Sequence, residues 1–322
     1  MRLEKNGRLR LSASDVANFL ACGHLTRLDL LHARGQLDPP YAFDSGFEDL
    51  VRRGEEHEKA VLDGFREAGY QITQIPDERD ADAASATLNA IRDGADVIYQ
   101  AVLRQDPPDG EGPALYGRPD FLVKAGLLPA PDSEPRPHEL HYEIVDAKLA
   151  RTAKARAVAQ VAFYSHLLAN HQGTRPRWMH LALGNREFTS LKTGDYAAYE
   201  RQTRRVLAAF IAMDRGENPP NVPYPEPVEH CAICRWADSC TKRRRRDDDL
   251  SLIAGMPAGQ RRALKTAGVG TRRGFAALEA VPVLSRVSRD SLQRMQRQAR
   301  LQVASQDTGR IQYQLLDPQD EP

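Results

Sequence analysis

The sequence predicts a mixed α/β fold, because helical patterns near both ends enclose a middle region of short strands. In the N-terminal part, apolar residues recur at intervals of three and four, as on the buried face of a helix. Between residues 97 and 192, strand-forming runs alternate with turn sequences and with one helical pattern. Together these observations indicate a mixed central sheet flanked by helices.

Two helical regions are predicted before the first strand. Ser12 and Asp15 have the spacing of an N-cap residue and the third residue of a capping box, and apolar stripes follow them. Cys22 therefore falls on or at the end of a helix. The apolar pattern over residues 47–65 predicts another helix, and it places His57 on the inward stripe.

The middle region begins with two strands separated by turn sequences, which predict an antiparallel hairpin. The stretch HYEIVDAKLA, residues 141–150, follows a proline-rich loop and is typical of a further strand. In that strand Asp146 and Lys148 are two residues apart, so their side chains point to the same face. The predicted elements are strands over 97–103, 115–124 and 141–150, a helix over 153–170, a strand pair over 177–192 turning at Gly184 and Asn185, and a helix over 195–215.

The C-terminal part is predicted to be separate. The charge run KRRRRDDD, residues 242–249, marks a boundary between a domain over 1–246 and a helical segment over 247–322. Residues 250–278 resemble a helix-hairpin-helix unit, whose turn amides and basic groups would contact DNA backbone, although a structural helical bridge fits equally well. IQYQLL, residues 311–316, is expected to form a strand without an obvious partner, which suggests a piece of a longer protein.

The overall charge does not favour any one class of partner. The chain carries 45 Lys and Arg against 44 Asp and Glu, so any nucleic-acid surface must be local. No apolar run approaches the roughly 20 residues of a membrane span, and we expect a cytoplasmic protein without a membrane partner. Candidate phosphate-binding groups, which also suit a solvated face, are Arg151, Lys154, Arg156, Arg201, Arg204, Arg205 and the run from Lys242 to Arg246.

Acidic residues and one lysine form a candidate metal site. Asp120 lies on one predicted strand, and Asp146 and Lys148 lie on the next, so all three converge if the strands are neighbours. Two ionised carboxylates repel each other, and Mg²⁺ or Mn²⁺ relieves the repulsion while gaining hard oxygen ligands. Lys148 would then orient a metal-activated water or stabilise charge on a phosphate. Taken singly, Asp146 and Lys148 also suit a surface ion pair, and His57 suits a core position.

Three of the four cysteines, Cys231, Cys234 and Cys240, lie within ten residues, and the fourth is Cys22. In a reducing compartment such crowding favours metal ligation over disulfides. Thiolates suit a structural zinc ion as well as an iron-sulphur cluster, and spacing alone barely separates the two. In a third interpretation Cys22 is a small buried apolar residue. The other three cysteines would then lack the fourth ligand of a four-thiolate site.

Four motifs follow one another over about 110 residues: GEEH at 54–57, GRPD at 117–120, EIVDAK at 143–148 and QVAFY at 160–164. In this order they resemble the motifs of RecB-like nucleases in the PD-(D/E)xK superfamily. The resemblance implies metal binding by His57, Asp120 and Asp146, catalysis by Asp120, Asp146 and Lys148, and positioning of the strand and active-site side chains by Gln160 and Tyr164. Glu143 is not expected at the metal, because strand alternation turns it to the opposite face.

The cysteine spacing resembles the iron-sulphur branch of the same nucleases, which includes CRISPR adaptation exonucleases and the AddB nuclease domain. This implies a [4Fe-4S] cluster held by Cys22, Cys231, Cys234 and Cys240, closing a loop of about two hundred residues. The implied activity is a Mg²⁺- or Mn²⁺-dependent deoxyribonuclease that acts on single-stranded DNA or DNA ends in repair or processing, with a helicase domain or partner. The competing functions are a non-catalytic DNA-binding scaffold of a helicase-nuclease assembly and a zinc-stabilised structural protein.

Overall fold

The computed structural model describes residues 1–40, 45–76, 80–108, 110–128, 141–185, 187–214 and 222–315. The proline-rich loop predicted ahead of residue 141 lies outside these residues. The chain forms two compact units, Met1–Pro223 and Tyr224–Pro322. This division differs from the predicted boundary at residue 246, because the segment that carries Cys231, Cys234 and Cys240 belongs to the second unit.

The first unit mixes strands and helices along the chain. In order, its described elements are β1 (Arg2–Leu3), β2 (Leu9–Ser12), α1 (Ala13–Ala21), α2 (Gly23–Ala33), α3 (Ser45–Glu67), β3 (Ile72–Gln74), α4 (Asp80–Arg92), β4 (Val97–Tyr99), β5 (Leu103–Gln105), β6 (Ala114–Gly117), β7 (Phe121–Lys124), β8 (Tyr142–Lys148), α5 (Ala155–Gln172), β9 (Trp178–Leu183), β10 (Phe188–Lys192) and α6 (Thr193–Met213). Helices α1, α3, α5 and α6 and the strand pair β9 and β10 lie where the sequence patterns predict them. Strands β1, β2 and β3 and helix α4 are additional to the predicted elements.

Two sheets form the centre of this unit. The larger has the strand order β10-β9-β8-β7-β4-β3, in which β8 pairs parallel with β9 and antiparallel with β7. The smaller has the order β1-β2-β6-β5. Val161 and Leu168 of α5 share a buried cluster with Ile144 of the larger sheet, while Leu62 of α3 shares another with Val145. Since Ile144 and Val145 point to opposite faces, helices flank a mixed sheet, as predicted.

The predicted hairpin over residues 97–103 and 115–124 is split between the two sheets. Strand β4 pairs antiparallel with β7 in the larger sheet, and β5 pairs antiparallel with β6 in the smaller one. The antiparallel pairing is therefore confirmed, but each predicted strand is broken in the middle. The first break is at Gln100, whose φ of 58° is left-handed, and the second is at Pro119, which has no N–H to donate to a ladder.

The N-terminal helical pattern also divides in two. Ser12 is the N-cap of α1, and Ser12 and Asp15 form the predicted capping box. Cys22 has extended backbone and stands between α1 and α2, so the prediction that it lies at the end of a helix is confirmed. Its Sγ accepts a hydrogen bond from the backbone N–H of Leu25 at 3.4 Å and thereby caps α2.

The second unit is helical around a core of its own. Its described helices are α7 (Ala237–Arg246), α8 (Ala258–Thr266), α9 (Arg272–Ala277) and α10 (Arg289–Thr308), with short 3₁₀ helices at Glu229–Ile233 and Leu250–Leu252. Buried residues that include Leu264, Phe275 and Leu292 form its apolar cluster. A turn containing Gly268, at φ 82°, joins α8 to α9. Residues 250–278 therefore include two short helices joined by a turn that contains glycine.

The basic run from Lys242 to Arg246, which the sequence pattern places at a domain boundary, forms the end of α7 inside the second unit. Its Arg244 is only 8% exposed and donates hydrogen bonds to the Pro225 carbonyl at 3.0 Å and to Thr241 Oγ1 at 2.8 Å. Residues 311–315, predicted as part of a strand, pair with no strand in the described chain. Among the described helices of both units, none is long and apolar enough to cross a membrane.

A half-buried histidine in α5 makes the stability of the protein depend on pH. Burial lowers the pKa of His166 to about 4, and the charges of Arg204 and Arg175 lower it as well. Between about pH 4 and the unfolded value of about 6.5, only the unfolded chain binds the proton. We therefore expect the free energy of unfolding to fall as the pH falls through this window, and to fall less in His166→Asn. Urea unfolding at about pH 7.5 and about pH 5 measures this fall in the wild type and in His166→Asn. An equal fall in both proteins would contradict the lowered pKa of His166.

Candidate functional site

The two predicted aspartates meet across neighbouring strands of the larger sheet. Asp146 lies in β8, and Asp120 directly precedes β7, which pairs antiparallel with β8. The register pairs Phe121 with Val145, so one step further Asp120 lies opposite Asp146. The backbone N–H of Ala147 donates to Asp120 Oδ2 at 2.7 Å, which holds this carboxylate against β8. The strands are thus neighbours. The convergence of the two acids was predicted for that case.

The environment of Asp120 is unfavourable for its negative charge. Burial raises the pKa of the Asp120 carboxyl well above its usual range, and the charges of Asp146 and Glu58 raise it further. The ammonium group of Lys148 and the N–H of Ala147 lower this pKa, but they do not compensate for burial and repulsion. The site therefore holds carboxylate groups whose charge is incompletely balanced by the residues around them.

Lys148 contacts the other aspartate directly. Its Nζ forms an ion pair with Asp146 Oδ2, and the Asp146 side chain is only 1% exposed. Burial lowers the pKa of Lys148, but the neighbouring charges of Asp146 and Asp120 raise it by more, so the net shift is upward. Lys148 is therefore an ammonium ion at neutral pH. Because Asp146 is buried, the pair is not the ordinary surface ion pair that the sequence alone allowed.

The pair Gln160 and Tyr164 lies on α5 beside the acids. Gln160 Nε2 donates to the Tyr164 hydroxyl at 3.0 Å, and Tyr164 is 5% exposed. Burial raises the pKa of Tyr164 well above its usual range, and the negative charge of Asp146 contributes to the shift. The hydroxyl is therefore protonated at neutral pH and close enough to Asp146 to sense its charge. Gln160 fixes the position of that hydroxyl.

His57 lies in α3, as predicted, but it is engaged with the sheet backbone. Its Nε2 is 3.0 Å from the carbonyl oxygen of Ala182. A carbonyl oxygen only accepts, so Nε2 carries the hydrogen and Nδ1 keeps the lone pair that could bind a metal. Among the described residues, no three His, Cys, Asp or Glu side chains are grouped so as to hold a metal ion. His57 is thus not brought together with Asp120 and Asp146 as a three-ligand set.

Glu58 is a residue of this site that the sequence analysis missed. Its carboxylate accepts a hydrogen bond from the side chain of Gln100, and its charge acts on Asp120 and Lys148. Burial raises the pKa of Tyr99 to about 12, with further contributions from Glu58. The helical stripe drew attention to His57, and Glu58 is rotated by about 100° from it. Its position depends on the left-handed backbone of Gln100, for which the sequence carries no signal.

Glu143 lies on the other face of β8, as strand alternation predicts. It accepts from the backbone N–H of Trp178 at 3.2 Å and is 3.0 Å from His180 Nε2. The Nδ1 of His180 is in turn 2.9 Å from the Ser190 hydroxyl. These partners satisfy Glu143 within the sheet, so it belongs to a separate polar network.

The cysteines are distributed over both units. Cys22 belongs to the first, between α1 and α2, while Cys231, Cys234 and Cys240 belong to the second. The last three lie close in sequence, on a 3₁₀ helix, directly after it and on α7. None of the four is in a disulfide, and each is half-buried. The iron-sulphur cluster stays a prediction.

Several of the predicted basic groups already have acidic partners. Arg204 Nη2 lies 3.3 Å from Glu200 Oε2, and Arg243 pairs with Asp247 at 2.6 Å. Arg244 is buried, as described above. Only part of the basic run at the end of α7 is therefore free to contact phosphates, as expected from the acidic residues that follow it.

No protein-family model matches the chain, and no curated protein matches it. Among solved structures it is similar to SSO0001, known from a crystal structure, at 12% sequence identity and a TM-score of 0.30; the match covers 74% of this chain and 87% of that one. A likeness at this TM-score carries no argument about fold or function, so the roles of the site residues depend on their geometry and on the motifs.

Gly117, in the GRPD motif, is required by the packing of Tyr164. A Cβ at position 117 would lie 2.8 Å from Tyr164 Cδ1 and 2.9 Å from Leu167 Cδ1, and both side chains are buried. We expect Gly117→Ala to lower the free energy of unfolding by about 1 to 3 kcal/mol through overpacking. Urea unfolding measures the change. Gly194→Ala, where a Cβ meets nothing within 4 Å, is the control and is not expected to destabilise; equal losses in both variants would contradict the contact.

Proposed function

We propose that this chain is a Mg²⁺- or Mn²⁺-dependent DNA nuclease with a RecB-like PD-(D/E)xK core. The observation that carries the proposal is the largely buried carboxylate pair of Asp120 and Asp146 beside the ammonium group of Lys148. With Glu58 included and all groups ionised, three carboxylates and one ammonium leave two negative charges. A single divalent cation neutralises that excess.

The donor set fits the proposed metal ions. Mg²⁺ prefers oxygen ligands and is commonly held by one or two carboxylates, with waters and substrate phosphate oxygens completing its coordination. Asp120 and Asp146 would supply the carboxylates, and a site of this kind does not require His57 as a third ligand. The ion, when bound, supplies Lewis acidity and a water of lowered pKa.

The other side chains have roles that follow from their protonation. Lys148 carries a positive charge, so it is suited to stabilise negative charge on a phosphate oxygen rather than to remove a proton. Tyr164 keeps its hydroxyl hydrogen and is held by Gln160, so it can orient a carboxylate or a phosphate. The preference for single-stranded DNA or DNA ends, the place in repair or processing and the association with a helicase come from the motif resemblance alone.

Cleavage of labelled single-stranded DNA with Mn²⁺ tests the active site. We expect Asp146→Ala and Lys148→Ala each to lower the rate about a hundredfold or more, because each removes a charge next to the reacting phosphate. Lys192→Ala, at the exposed end of β10, removes an equal charge elsewhere and should cut at the wild-type rate. Undiminished cutting by both site variants rejects the assignment, and DNA binding by the wild type without any cleavage favours the scaffold function instead.

The proposal includes a [4Fe-4S] cluster held by Cys22, Cys231, Cys234 and Cys240. Four thiols without disulfides match the ligand number of such a cluster. Three of them lie within ten residues of sequence, and this spacing supports ligation of one group. In a reducing cytoplasm these thiols would persist as ligands rather than as disulfides.

Anaerobically purified protein tests the cluster through its colour and metal content. We expect a brown solution with about four irons per chain and loss of most of that iron in Cys234→Ser. Ser239→Ala, next to Cys240 in α7, leaves every thiol in place and should retain the full iron content. Colourless protein that contains zinc and no iron would instead support the structural zinc site.

A further inference from the structure

A cleft of about 320 Å³ lies in the first unit, and neither Asp120, Asp146 nor Lys148 lines it. One wall is helix α6, and the other is the segment that connects β5 to β6. Its floor includes Leu11, Phe163 and Leu207, whose side chains are buried. The volume is at the lower end of the range of small-molecule sites, which begins near about 300 Å³, so it suits one ring system rather than a large cofactor.

Two arginines, Arg8 from the N-terminal part and Arg104 from β5, bond to described residues of the β5 to β6 connection. Arg8 donates to the Gly110 carbonyl at 3.1 Å and pairs with Asp106 at 3.3 Å. Arg104 pairs with Asp106 as well, at 2.8 Å, and lowers the pKa of that carboxyl. The charge of Asp106 at the cleft is therefore reduced by two cations, of which Arg104 also pairs with Glu4. Asp106 and Gly110, held in this way, need little ordering when a ligand binds.

The opposite wall carries unbalanced positive charge. Arg201, Arg204 and Arg205 of α6 all line the cleft. Arg204 is occupied by Glu200. Arg201 and Arg205 are exposed, lie one helical turn apart and make no ion pair with the described residues. Guanidinium groups match phosphate geometry with paired hydrogen bonds, so this wall is complementary to a phosphate.

The inside of the cleft offers contacts for a flat polar ring. Pro107, Pro108 and Pro113 line it together with the apolar floor. Gln105 lines it too, and its side-chain carbonyl oxygen already accepts from Asn170 Nδ2 at 2.7 Å. Its amide nitrogen can donate to an acceptor atom of a ligand, for example to a keto oxygen on the edge of a base.

We propose that this cleft binds one nucleotide of a single-stranded nucleic acid, with the base against the apolar floor and the phosphate on Arg201 and Arg205. Only an unpaired base can enter such a slot, because bases in a duplex are stacked and paired. The proposal rests on the nuclease function in one respect: that function is the reason to regard the bound nucleotide as part of a substrate strand. The cleft would hold a nucleotide of that strand apart from the bond being cut.

Binding without divalent metal tests the cleft separately from cleavage. The probes are thymidine, thymidine 5′-monophosphate and a 5′-phosphorylated oligothymidylate, titrated by calorimetry in the presence of EDTA. We expect the double variant Arg201→Ser, Arg205→Ser to bind the two phosphorylated probes about tenfold or more weakly, and thymidine to bind more weakly than its monophosphate. Ala208→Trp, which fills the cleft and keeps both arginines, should weaken binding similarly.

One variant serves as the control for this experiment. Arg92→Ser removes an exposed arginine of α4 that does not line the cleft, so it should bind as the wild type does. Tighter binding of the oligonucleotide than of the monophosphate supports the proposal, and equal binding of the two overturns the assignment of a strand as the ligand. Equal affinity in all variants, or no binding of the phosphorylated probes, overturns the proposal. An inactive wild type with an intact binding pattern counts only against the nuclease function.

Discussion

Repulsion between two largely buried carboxylates is the constraint on which the rest of the first unit depends. Burying one ionised carboxylate costs several kcal/mol when nothing balances it, and β7 and β8 bring Asp120 and Asp146 side by side. Two neighbouring groups with hydrogens to donate are directed to this pair. Lys148, on the same strand as Asp146, pairs with that carboxylate. The backbone N–H of Ala147, between Asp146 and Lys148, donates to Asp120. A purely structural sheet gains nothing from such an arrangement, since apolar residues of similar size would pack there without the cost.

The breaks in the strands explain how the acids reach this position. Between β4 and β5, and again between β6 and β7, the chain passes from one sheet to the other. Gln100 takes a left-handed conformation that costs about 1 kcal/mol or more for a residue with a side chain. Its backbone N–H donates to the Asp120 carbonyl at 2.8 Å, and its side chain holds Glu58. One strained residue thus connects α3 to the start of β7.

The elements with local signals could be predicted from the sequence, and those that depend on distant partners could not. The capping box of Ser12 and the shared face of Asp146 and Lys148 follow from spacing alone. The split hairpin could not be predicted, because the left-handed Gln100 has no compositional signal and a single proline also occurs at strand starts. Glu58 could not be recognised because its partner is 42 residues away in the chain. The burial of Arg244 could not be predicted, because it depends on a carbonyl 19 residues earlier.

Arg244 has a consequence for any experiment that varies ionic strength. When a cationic protein binds a nucleic acid, the logarithm of affinity falls with the logarithm of salt concentration in proportion to the number of phosphates neutralised. A buried guanidinium that bonds to a carbonyl displaces no counterion, and Arg243, paired with Asp247, displaces few. Of the five consecutive cations from Lys242 to Arg246, at most Lys242 and Arg245 contribute fully to that slope, because Arg246 also pairs with Asp247, at 3.4 Å. The salt dependence of nucleic-acid binding to this surface would thus indicate fewer phosphate contacts than the five basic residues in the sequence suggest.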